Sequence, residues 1–397
     1  MPQGVMVKPT KKLTPSAIVV KTSQVIGVVG SAVKTELPTK YQEKLTEDKG
    51  LLLFNSPAEA LEVFAGVAGT IREELDDINL QNVHAPIVVS VASVTASQLE
   101  KAPEDFYEVN AFKSRVLEQI DNLKLARTIF GKAYKVRWAV AGYFSADVDV
   151  QQRLNIFNEG TKTAGVIDLN ETSVQGAVKT LEKMGTKRQL VTPFYGQKWS
   201  TFEDKNIFRP LSACIAGHNA YWSALFGEFG DAYSYGNLPI YGITKLRVPL
   251  TYEEGAECDV NTLADAGATV VFNDEGWELY NFETPNTDET ENKLEYIRFF
   301  DMLNEALQKG AKEYHQRPFT EVKEMLQLKI EQFLGKAVDA GVALGFDVWL
   351  SPENSGAEVQ AGRFYLSYKT GNNPAVRTII LQPFSTTEYA DKLVETK

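Results

Sequence analysis

Patterns typical of buried strands and of amphipathic helices alternate along the first two thirds of the chain. Runs rich in β-branched residues predict strands, which lie at 25–29, 87–91, 136–140 and 189–192. Apolar residues at helical spacing predict helices between them, at 57–65, 112–129, 210–226 and in a segment that opens at Thr172. Because such alternation is typical of an α/β fold, we expect a layered α/β sandwich in this part of the chain.

A capping box marks the start of the helix at 57–65. Ser56 precedes Pro57, a residue that suits the first helical position, and Glu59 follows three residues after the serine. We therefore expect the Ser56 side chain to accept a hydrogen bond from the backbone of the first turn.

The last third of the chain predicts a second unit with a different mixture of elements. An acidic segment at 252–259 precedes it and places the domain boundary near 255–268. The elements predicted beyond this boundary are a strand at 268–272, helices at 289–313 and 320–340, and strands at 346–350 and 363–368. We therefore assign an α/β sandwich domain to 24–262 and a mixed α/β domain to 263–373.

Both ends of the chain predict extended arms. The arm at 1–23 contains prolines and lysines, which suit an extended segment better than a packed element. At the other end, the run AVRTIILQ at 375–382 predicts a strand between Pro374 and Pro383, and a short polar helix completes the arm at 374–397. Apolar residues occupy both faces of that strand, which is typical of a strand inserted between two neighbours.

Composition narrows the classes of protein and partner. With 397 residues, of which 44% are hydrophobic, the chain is long enough for about two or three domains. Its net charge of -11 would repel a phosphate backbone, so we expect no nucleic acid partner. No window approaches the ~18 apolar residues of a membrane span, and residues 1–12 lack a signal peptide's apolar stretch. We therefore expect that the chain does not insert into a membrane and that it folds in a cytoplasm. In that compartment Cys214 and Cys258 would be ordinary core thiols.

Residues that could carry catalysis or bind a metal are few and scattered. His84, His218 and His315 share no spacing that would place two ligands on one helical face, so we interpret each as a satisfied surface or core residue. Ser234 lies in a sequence similar to a nucleophile elbow, but Ala232 stands where the first glycine belongs and a helix precedes it instead of a strand. The sequence therefore predicts no catalytic residue, no metal site and no cofactor.

Two further groups have a structural interpretation. Gly27 and Gly30 follow a predicted strand without a phosphate-binding motif, so we expect them to turn the chain. Four acidic residues lie close together without any sign of burial, and we interpret them as a solvated helix face. These residues are Glu73, Glu74, Asp76 and Asp77.

Several motifs follow one another in the last third. LADAGATVVFNDEGWELYNF at 263–282 combines a glycine, a short strand, an aspartate and glycine, and an aromatic pair. A long helix, a break at Pro318 and a second helix come next. FDVWLSPENS at 346–355 and EVQAGRFYLSY at 358–368 complete the succession. Near the other end of the chain, Gly4 opens an extended stretch that leads to the strand sequence VIGVVGSA.

This succession resembles the contractile tail sheath family of myovirus phage tails, phage-tail-like bacteriocins and related contractile injection systems. The resemblance covers 1–95 and 263–397, whereas the middle of the chain agrees only in the order of its elements. One departure follows the aromatic pair, where family members often have a Gly-Asn/Ala-Arg-Thr turn. This chain has Asn281, Phe282, Glu283 and Thr284 instead, which leaves the detail of this turn open.

The resemblance implies a structural subunit without enzymatic activity. Such subunits form stacked hexameric rings, a helical polymer around an inner tube, and contract to drive the tube through a target envelope. The implied partners are further copies of the chain, the tail tube protein, and baseplate and tail terminator proteins. The chain would be made in a bacterial host cytoplasm and assembled into a tail, with 24–262 as the outer domain and 263–373 as the inner domain.

In this reading the arms add strands to the sheets of neighbouring subunits. The candidate subunit-linking residues are Val5, Val7, Ile18, Val20, Val376, Thr378, Ile379, Ile380 and Leu381. Two alternatives stay open, namely another polymeric phage structural protein of the capsid type and an enzyme of the α/β hydrolase type. The sequence does not distinguish a phage from a bacteriocin or another contractile injection system.

Overall fold

A six-stranded sheet forms the centre of the first domain. The structure is a computed structural model that describes residues 18, 24–99, 112–288, 291–377, 379 and 382. The strands of the central sheet are β1 (Ile26–Val33), β2 (Leu51–Phe54), β3 (Ile87–Val94), β4 (Trp138–Val140), β5 (Ala164–Asp168) and β6 (Gln189–Thr192). Their order is β2-β3-β1-β4-β5-β6, with β2 antiparallel to β3 and all other neighbours parallel. The predicted α/β fold and the four predicted strands are confirmed.

Helices cover both faces of this sheet, as strands that are apolar on both faces require. One face packs against α1 (Thr39–Glu47), α2 (Pro57–Phe64), α3 (Ile71–Asn79) and α8 (Ser212–Leu225). The other face packs against α4 (Lys113–Asn122), α5 (Ala126–Ile129), α6 (Val148–Thr161), α7 (Val174–Leu181) and α9 (Asp259–Asp265). The single helix predicted at 112–129 is divided into α4 and α5 by a 3-10 turn at Leu123–Leu125.

The predicted cap at the start of α2 is confirmed. Ser56 Oγ accepts a hydrogen bond from the backbone N–H of Glu59 at 3.2 Å. The Glu59 carboxylate in turn accepts a hydrogen bond from the backbone N–H of Asn55 at 2.8 Å. The serine thus satisfies a donor that the first turn leaves without an intrahelical partner, and the glutamate holds the residue that precedes the cap.

The interpretation of Gly27 and Gly30 as turn residues is wrong, because both lie inside β1. A Cβ atom at Gly27 would lie 2.9 Å from Val136 Cγ1, and one at Gly30 would lie 2.5 Å from Ile71 Cγ1. These glycines therefore allow the neighbouring elements to approach the strand closely.

The chain adds strands on both sides of β1, with β3 on one side and β4, β5 and β6 on the other. The connection from β1 to β3 runs through α1 to α3 on one face, whereas the helices that lead to β4, β5 and β6 cover the other. The carboxyl edge between β1 and β4 is therefore a topological switch point, where open α/β sheets usually bind their ligands. Since β4 ends at Val140, its pairing with β1 ends at Val28, and we term the region beyond this point the switch-point crevice.

Two small antiparallel sheets lie beside the central sheet. One contains β7 (Gly196–Ser200), β8 (Lys205–Arg209) and β10 (Lys245–Leu246), and the other contains β9 (Leu238–Pro239), β11 (Val270–Asn273) and β12 (Trp277–Tyr280). Residues of β11 and β12 contribute to the two cores that flank the central sheet, among them Phe272 and Leu279. The boundary between 262 and 263 stays a prediction, although these strands follow it and pack with the residues that precede it.

The second domain contains two long helices and a two-stranded sheet. Its elements are α10 (Leu294–Ala311), α11 (Phe319–Asp339), β13 (Ala343–Leu350), α12 (Gly356–Gln360) and β14 (Leu366–Asn372). Both predicted helices and both predicted strands are present. The strand predicted at 363–368 begins later because Arg363 is paired with Glu358, and Tyr365 N–H donates to Asn354 Oδ1 at 3.0 Å. These contacts hold the preceding residues in a loop.

Candidate subunit-linking site

The sheet of β13 and β14 presents two open edges. The strands pair antiparallel from Ala343 and Asn372 to Leu350 and Leu366, with a register shift before Gly345. Within the described residues this sheet has no third strand, so the outward backbone groups of each strand lack a strand partner. Such edges accept an added strand through main-chain hydrogen bonds.

The two faces of this sheet differ in what they contact. One face packs against a core formed by α10 and α11, which we term the third core, through the side chains of Phe346, Val348, Leu366 and Tyr368. The other face carries an ion pair between Asp347 and Lys369 at 2.8 Å and the indole of Trp349, which is 41% exposed. The sheet is thus fixed to its domain by one face, while its edges and its other face are accessible in the subunit.

Ile18, the one described residue of the predicted amino-terminal arm, is buried in its own subunit. It is 5% exposed and belongs to the third core together with Phe229 and Phe299. A Cβ atom at Gly310 would lie 2.7 Å from Ile18 Cγ1, so the glycine leaves the space that the isoleucine fills. Among the predicted linking residues, Ile18 is therefore buried in the subunit that carries it, and its role between subunits stays a prediction.

The described part of the carboxy-terminal arm presents apolar side chains to solvent. Val376 and Ile379 are each 78% exposed. Both are available to a neighbouring subunit, as the prediction requires, although the subunit alone does not test the contact. The other predicted linking residues lie outside the described residues; they are Val5, Val7, Val20, Thr378, Ile380 and Leu381.

Arg377 is a residue of the arm that sequence reasoning missed. Its guanidinium contacts Glu295 Oε1 at 2.8 Å, Glu283 Oε1 at 3.1 Å and Asn281 Oδ1 at 3.2 Å. Burial raises the pKa of Glu295, and the positive charge of Arg377 acts in the opposite direction. Glu295 lies 82 residues and Asn281 lies 96 residues before Arg377, so no local pattern could have indicated the contact.

A curated relative is similar to this chain in sequence. It is a prophage major tail sheath protein of Pseudomonas aeruginosa strain UCBPP-PA14, 25% identical over 242 residues. The matched region covers 60% of this chain, and it spans 62% of the length of the relative. No family model matches the chain.

Solved structures of contractile assemblies match nearly the whole chain. The contracted helical sheath of the anti-feeding prophage superimposes with a TM-score of 0.68 at 16% identity, over 96% of this chain and 99% of that chain. The contracted sheath of an extracellular contractile injection system, PVC, gives 0.68 at 14% identity over 98% and 99%. The chain has the fold of a contractile sheath subunit. A chain of the anti-feeding prophage baseplate is also similar, with a TM-score of 0.64 at 14% identity over 97% and 99%. The resemblance to the contractile tail sheath family is confirmed.

In this sheath fold, ion pairs along α10 join the second domain to the first. Arg298 pairs with Asp231, Arg188 pairs with Asp301, and Glu305 accepts from Arg137 at 2.8 Å and from Lys135 at 3.2 Å. Burial acts to raise the pKa of Glu305, but the charges of Arg137 and Lys135 hold it below its usual value. Arg298, Asp301 and Glu305 are three and four residues apart on one face of α10, so these ion pairs attach the helix to residues near the central sheet.

The switch-point crevice of the sheath fold is filled by the side chains of α3. The interpretation of its acidic residues as a solvated helix face is wrong, because all of them are buried: Glu73, Glu74, Asp76 and Asp77. A Cβ atom at Gly142 would lie 2.5 Å from Glu74 Oε1, which places the Glu74 carboxyl group directly beyond the end of β4. Burial raises the pKa of Glu74 well above its usual value, a Thr70 hydrogen bond opposes this, and the charge of Asp77 adds to the rise.

Two cations from the small sheet beside α3 enter the same buried cluster. Lys198 Nζ lies 2.6 Å from Asp77 Oδ2 and 2.8 Å from the Pro210 carbonyl oxygen. Arg209 lies 2.8 Å from the other oxygen of Asp77, and both cations are fully buried. These cations follow the acidic residues by more than a hundred positions, so no local pattern could indicate that α3 faces inward.

Asp168 completes the polar cluster at the start of α8. Its Oδ1 accepts hydrogen bonds from the backbone N–H groups of Leu211 at 2.6 Å and Ser212 at 3.2 Å. The side chain thus occupies the helix end that could otherwise receive an anion. Burial raises the pKa of Asp168 to about 6, although its hydrogen bonds from Ser212 and Leu211 act in the opposite direction.

The candidate catalytic residues that the sequence analysis set aside have local partners. His218 is buried in α8, with Nδ1 at 3.0 Å from Asn219 Oδ1, and burial lowers its pKa to about 4. Ser234 Oγ accepts a hydrogen bond from Gly236 N–H at 3.4 Å, a contact within one turn. Among the described residues, no group of three or more His, Cys, Asp and Glu side chains could hold a metal ion. In the same part of the chain, no helix has the length and apolar character needed to span a membrane.

Proposed function

We propose that the chain is the structural subunit of a contractile tail sheath, which forms stacked hexameric rings around an inner tube and shortens to drive the tube through a target envelope. The observation that carries the proposal is the agreement of nearly the full chain with subunits of two contracted sheaths. Two open sheet edges in the second domain and an arm at each end of the chain support it.

Strand addition explains how such subunits would hold together. An arm that pairs with the open edge of β13 or β14 satisfies backbone groups on both chains, at about 1 kcal/mol net for each hydrogen bond. The exposed side chains of Val376 and Ile379 would then be covered by the neighbouring subunit. Repeated at every contact, these links would connect the rings while the subunits change their packing.

A structural role also agrees with the filled switch-point crevice. Glu74 occupies the place where an enzyme with this sheet topology would bind its substrate, and Asp168 occupies the nearby helix end. We infer a subunit that performs no catalysis and shortens without a nucleotide, from a metastable extended lattice to a more stable short one. Its partners would be other copies, the tail tube protein, and baseplate and terminator proteins in a particle assembled in a bacterial cytoplasm.

Electron microscopy of the purified protein tests this function. We expect tubular polymers with stacked rings, because the subunit carries both the arms and the edges that accept them. Closed shells would instead indicate a capsid-type protein. Discrete small oligomers together with a hydrolytic activity that Ser234→Ala abolishes would indicate an enzyme and contradict the proposal.

A further inference from the structure

Arg377 lies at the point where the carboxy-terminal arm leaves the second domain. The backbone is held at Asn373, whose N–H donates to the Val342 carbonyl oxygen at 3.0 Å and whose side chain donates to the Gly341 carbonyl oxygen at 2.8 Å. Arg377 adds a second attachment four positions further along. Residues 374–376 between these attachments are exposed, and the side chain of Ile379 beyond them is also open to solvent.

The receptor for Arg377 is built from two elements that are themselves held in place. Glu295 lies in the first turn of α10 and is 1% exposed. Glu283 accepts a hydrogen bond from Asn292 Nδ2 at 3.3 Å. Asn281 donates to the Ala264 and Ala268 carbonyl oxygens at 3.2 and 3.1 Å, which leaves its Oδ1 directed to the guanidinium.

These contacts differ from an ordinary surface ion pair. A surface pair between mobile side chains contributes little, because solvent screens it and both side chains lose rotamer freedom. Here one carboxylate is buried and a second is partly buried, and Glu283 and Asn281 are held by further hydrogen bonds within the subunit. The planar guanidinium can then bind several acceptors at once.

We propose that Arg377 is a clamp at the base of the carboxy-terminal arm, which fixes where the arm leaves its own subunit and therefore which neighbouring sheet edge it reaches. Without the clamp, the last attachment moves back to Asn373, and the exit point gains four residues of free chain, about 14 Å when extended. The arm then searches a larger volume, and its effective concentration at the neighbour's edge falls. This inference rests on the proposed function for its consequence in assembly, but the clamp itself is a property of one subunit.

Trypsin cleavage of the dilute, unassembled protein tests the clamp directly. Trypsin must take the arginine side chain into its own pocket, so it can cut after Arg377 only when the guanidinium is free. We expect Glu295→Gln to accelerate this cleavage about tenfold. The neutral amide of glutamine replaces a charged carboxylate, so the hydrogen bond from Arg377 becomes weaker. Glu283→Gln should act in the same direction, and it provides a second variant because Glu283 is less buried than Glu295.

A matched control lies in the same domain. Arg363 pairs with Glu358 on the surface, so Glu358→Gln should leave the cleavage rate after Arg377 unchanged. Hydrogen exchange of the segment at 373–379 should accelerate in Arg377→Met and not in Arg363→Met. Equal cleavage after Arg377 in the parent chain, Glu295→Gln and Glu283→Gln would overturn the clamp.

Assembly is measured separately, so the two proposals can fail independently. If the parent chain forms tubes, we expect Arg377→Met to raise the critical concentration for polymerisation about tenfold or more. Unchanged polymerisation of a variant with accelerated exchange would reject the role of the clamp in assembly. If the parent chain forms no tubes while its cleavage depends on Glu295, the proposed function fails and the clamp stands.

Discussion

Arg298 on α10 donates a hydrogen bond to Asp231, a buried carboxylate on the turn that follows α8. Gln24 and Ser223 donate to the same carboxylate, each to Oδ1, at 2.9 and 2.8 Å. The guanidinium of Arg298 also lies 4.1 Å from the ring centre of Trp138, so one side chain contacts the turn and the central sheet. This pair is the most buried connection between the two domains that α10 provides.

Removing the cation of this pair should destabilise the protein strongly. Arg298→Met leaves Asp231 buried without its charge partner, and we expect a loss of about 3 to 5 kcal/mol in the free energy of unfolding. The double variant with Asp231→Asn should recover much of that loss, because no charge is then left uncompensated. Urea unfolding measures both, with Arg363→Met as an exposed control; equal losses in the single and double variants would contradict the pairing.

Asp168 and His218 should give opposite dependences of stability on pH. The folded pKa of Asp168 is raised to about 6, so its contribution is present at low pH and is lost as the pH rises from about 4 to 6. The folded pKa of His218 is lowered to about 4, so its contribution is present above about pH 6.5 and is lost as the pH falls. Each shift corresponds to about 3 kcal/mol.

The stability of the two variants relative to the parent chain should therefore change with pH in opposite directions. Between pH 4 and 6, we expect Asp168→Asn to become more stable relative to the parent chain as the pH rises. His218→Gln should become more stable relative to the parent as the pH falls. Chemical denaturation at several pH values checks the two slopes, and slopes of the same sign would refute the assignment.

Glu74→Gln should cost little stability, although the position is buried and acidic in the parent chain. Burial raises the pKa of the Glu74 carboxyl group well above its usual value, so the folded protein favours the neutral form, which glutamine resembles in shape. The folded parent loses stability as the pH rises through that raised value, whereas the variant does not. Thermal unfolding at pH 5 and pH 8 should show a gain for the variant at the higher pH. A loss of several kcal/mol at pH 8 would show that the charged form is required.

Deleting 378–397 should give a folded protein that no longer polymerises. The deletion removes neither Arg377 nor any residue of the three cores, so circular dichroism should match the parent chain, while sedimentation should show monomers. An arm strand of about seven residues forms some five or six ladder bonds, roughly 5 kcal/mol before ordering costs. Ile380→Asp should have a similar effect, because burying an unpaired carboxylate between strands costs several kcal/mol. Full-length tubes from either variant, or an unfolded Ile380→Asp chain, would reject the inserted arm.

Features that depend on residues close together in the sequence could be predicted, whereas features that depend on distant residues could not. The Ser56 cap and the strand at 189–192 depend on residues a few positions apart, and both are confirmed. The burial of Glu74 depends on Gly142 and on a crevice that exists only once β1 and β4 are paired. Arg377 likewise finds its acceptors on a turn and a helix far away in the chain. Such contacts follow from tertiary structure and leave no periodic pattern in the sequence.

The buried cluster of Asp77, Lys198 and Arg209 has a further consequence if the chain is repeated many times in one polymer, as we propose. Buried ion pairs add little net stability, but only one arrangement of α3 and the small sheet pairs these charges. A small variation in the shape of one subunit would change the position of the next subunit, and such changes would add up along the assembly. In the proposed sheath, a buried cluster that pairs its charges in one arrangement would give every copy the same dimensions, so the regularity of the polymer would depend on the interior of each subunit.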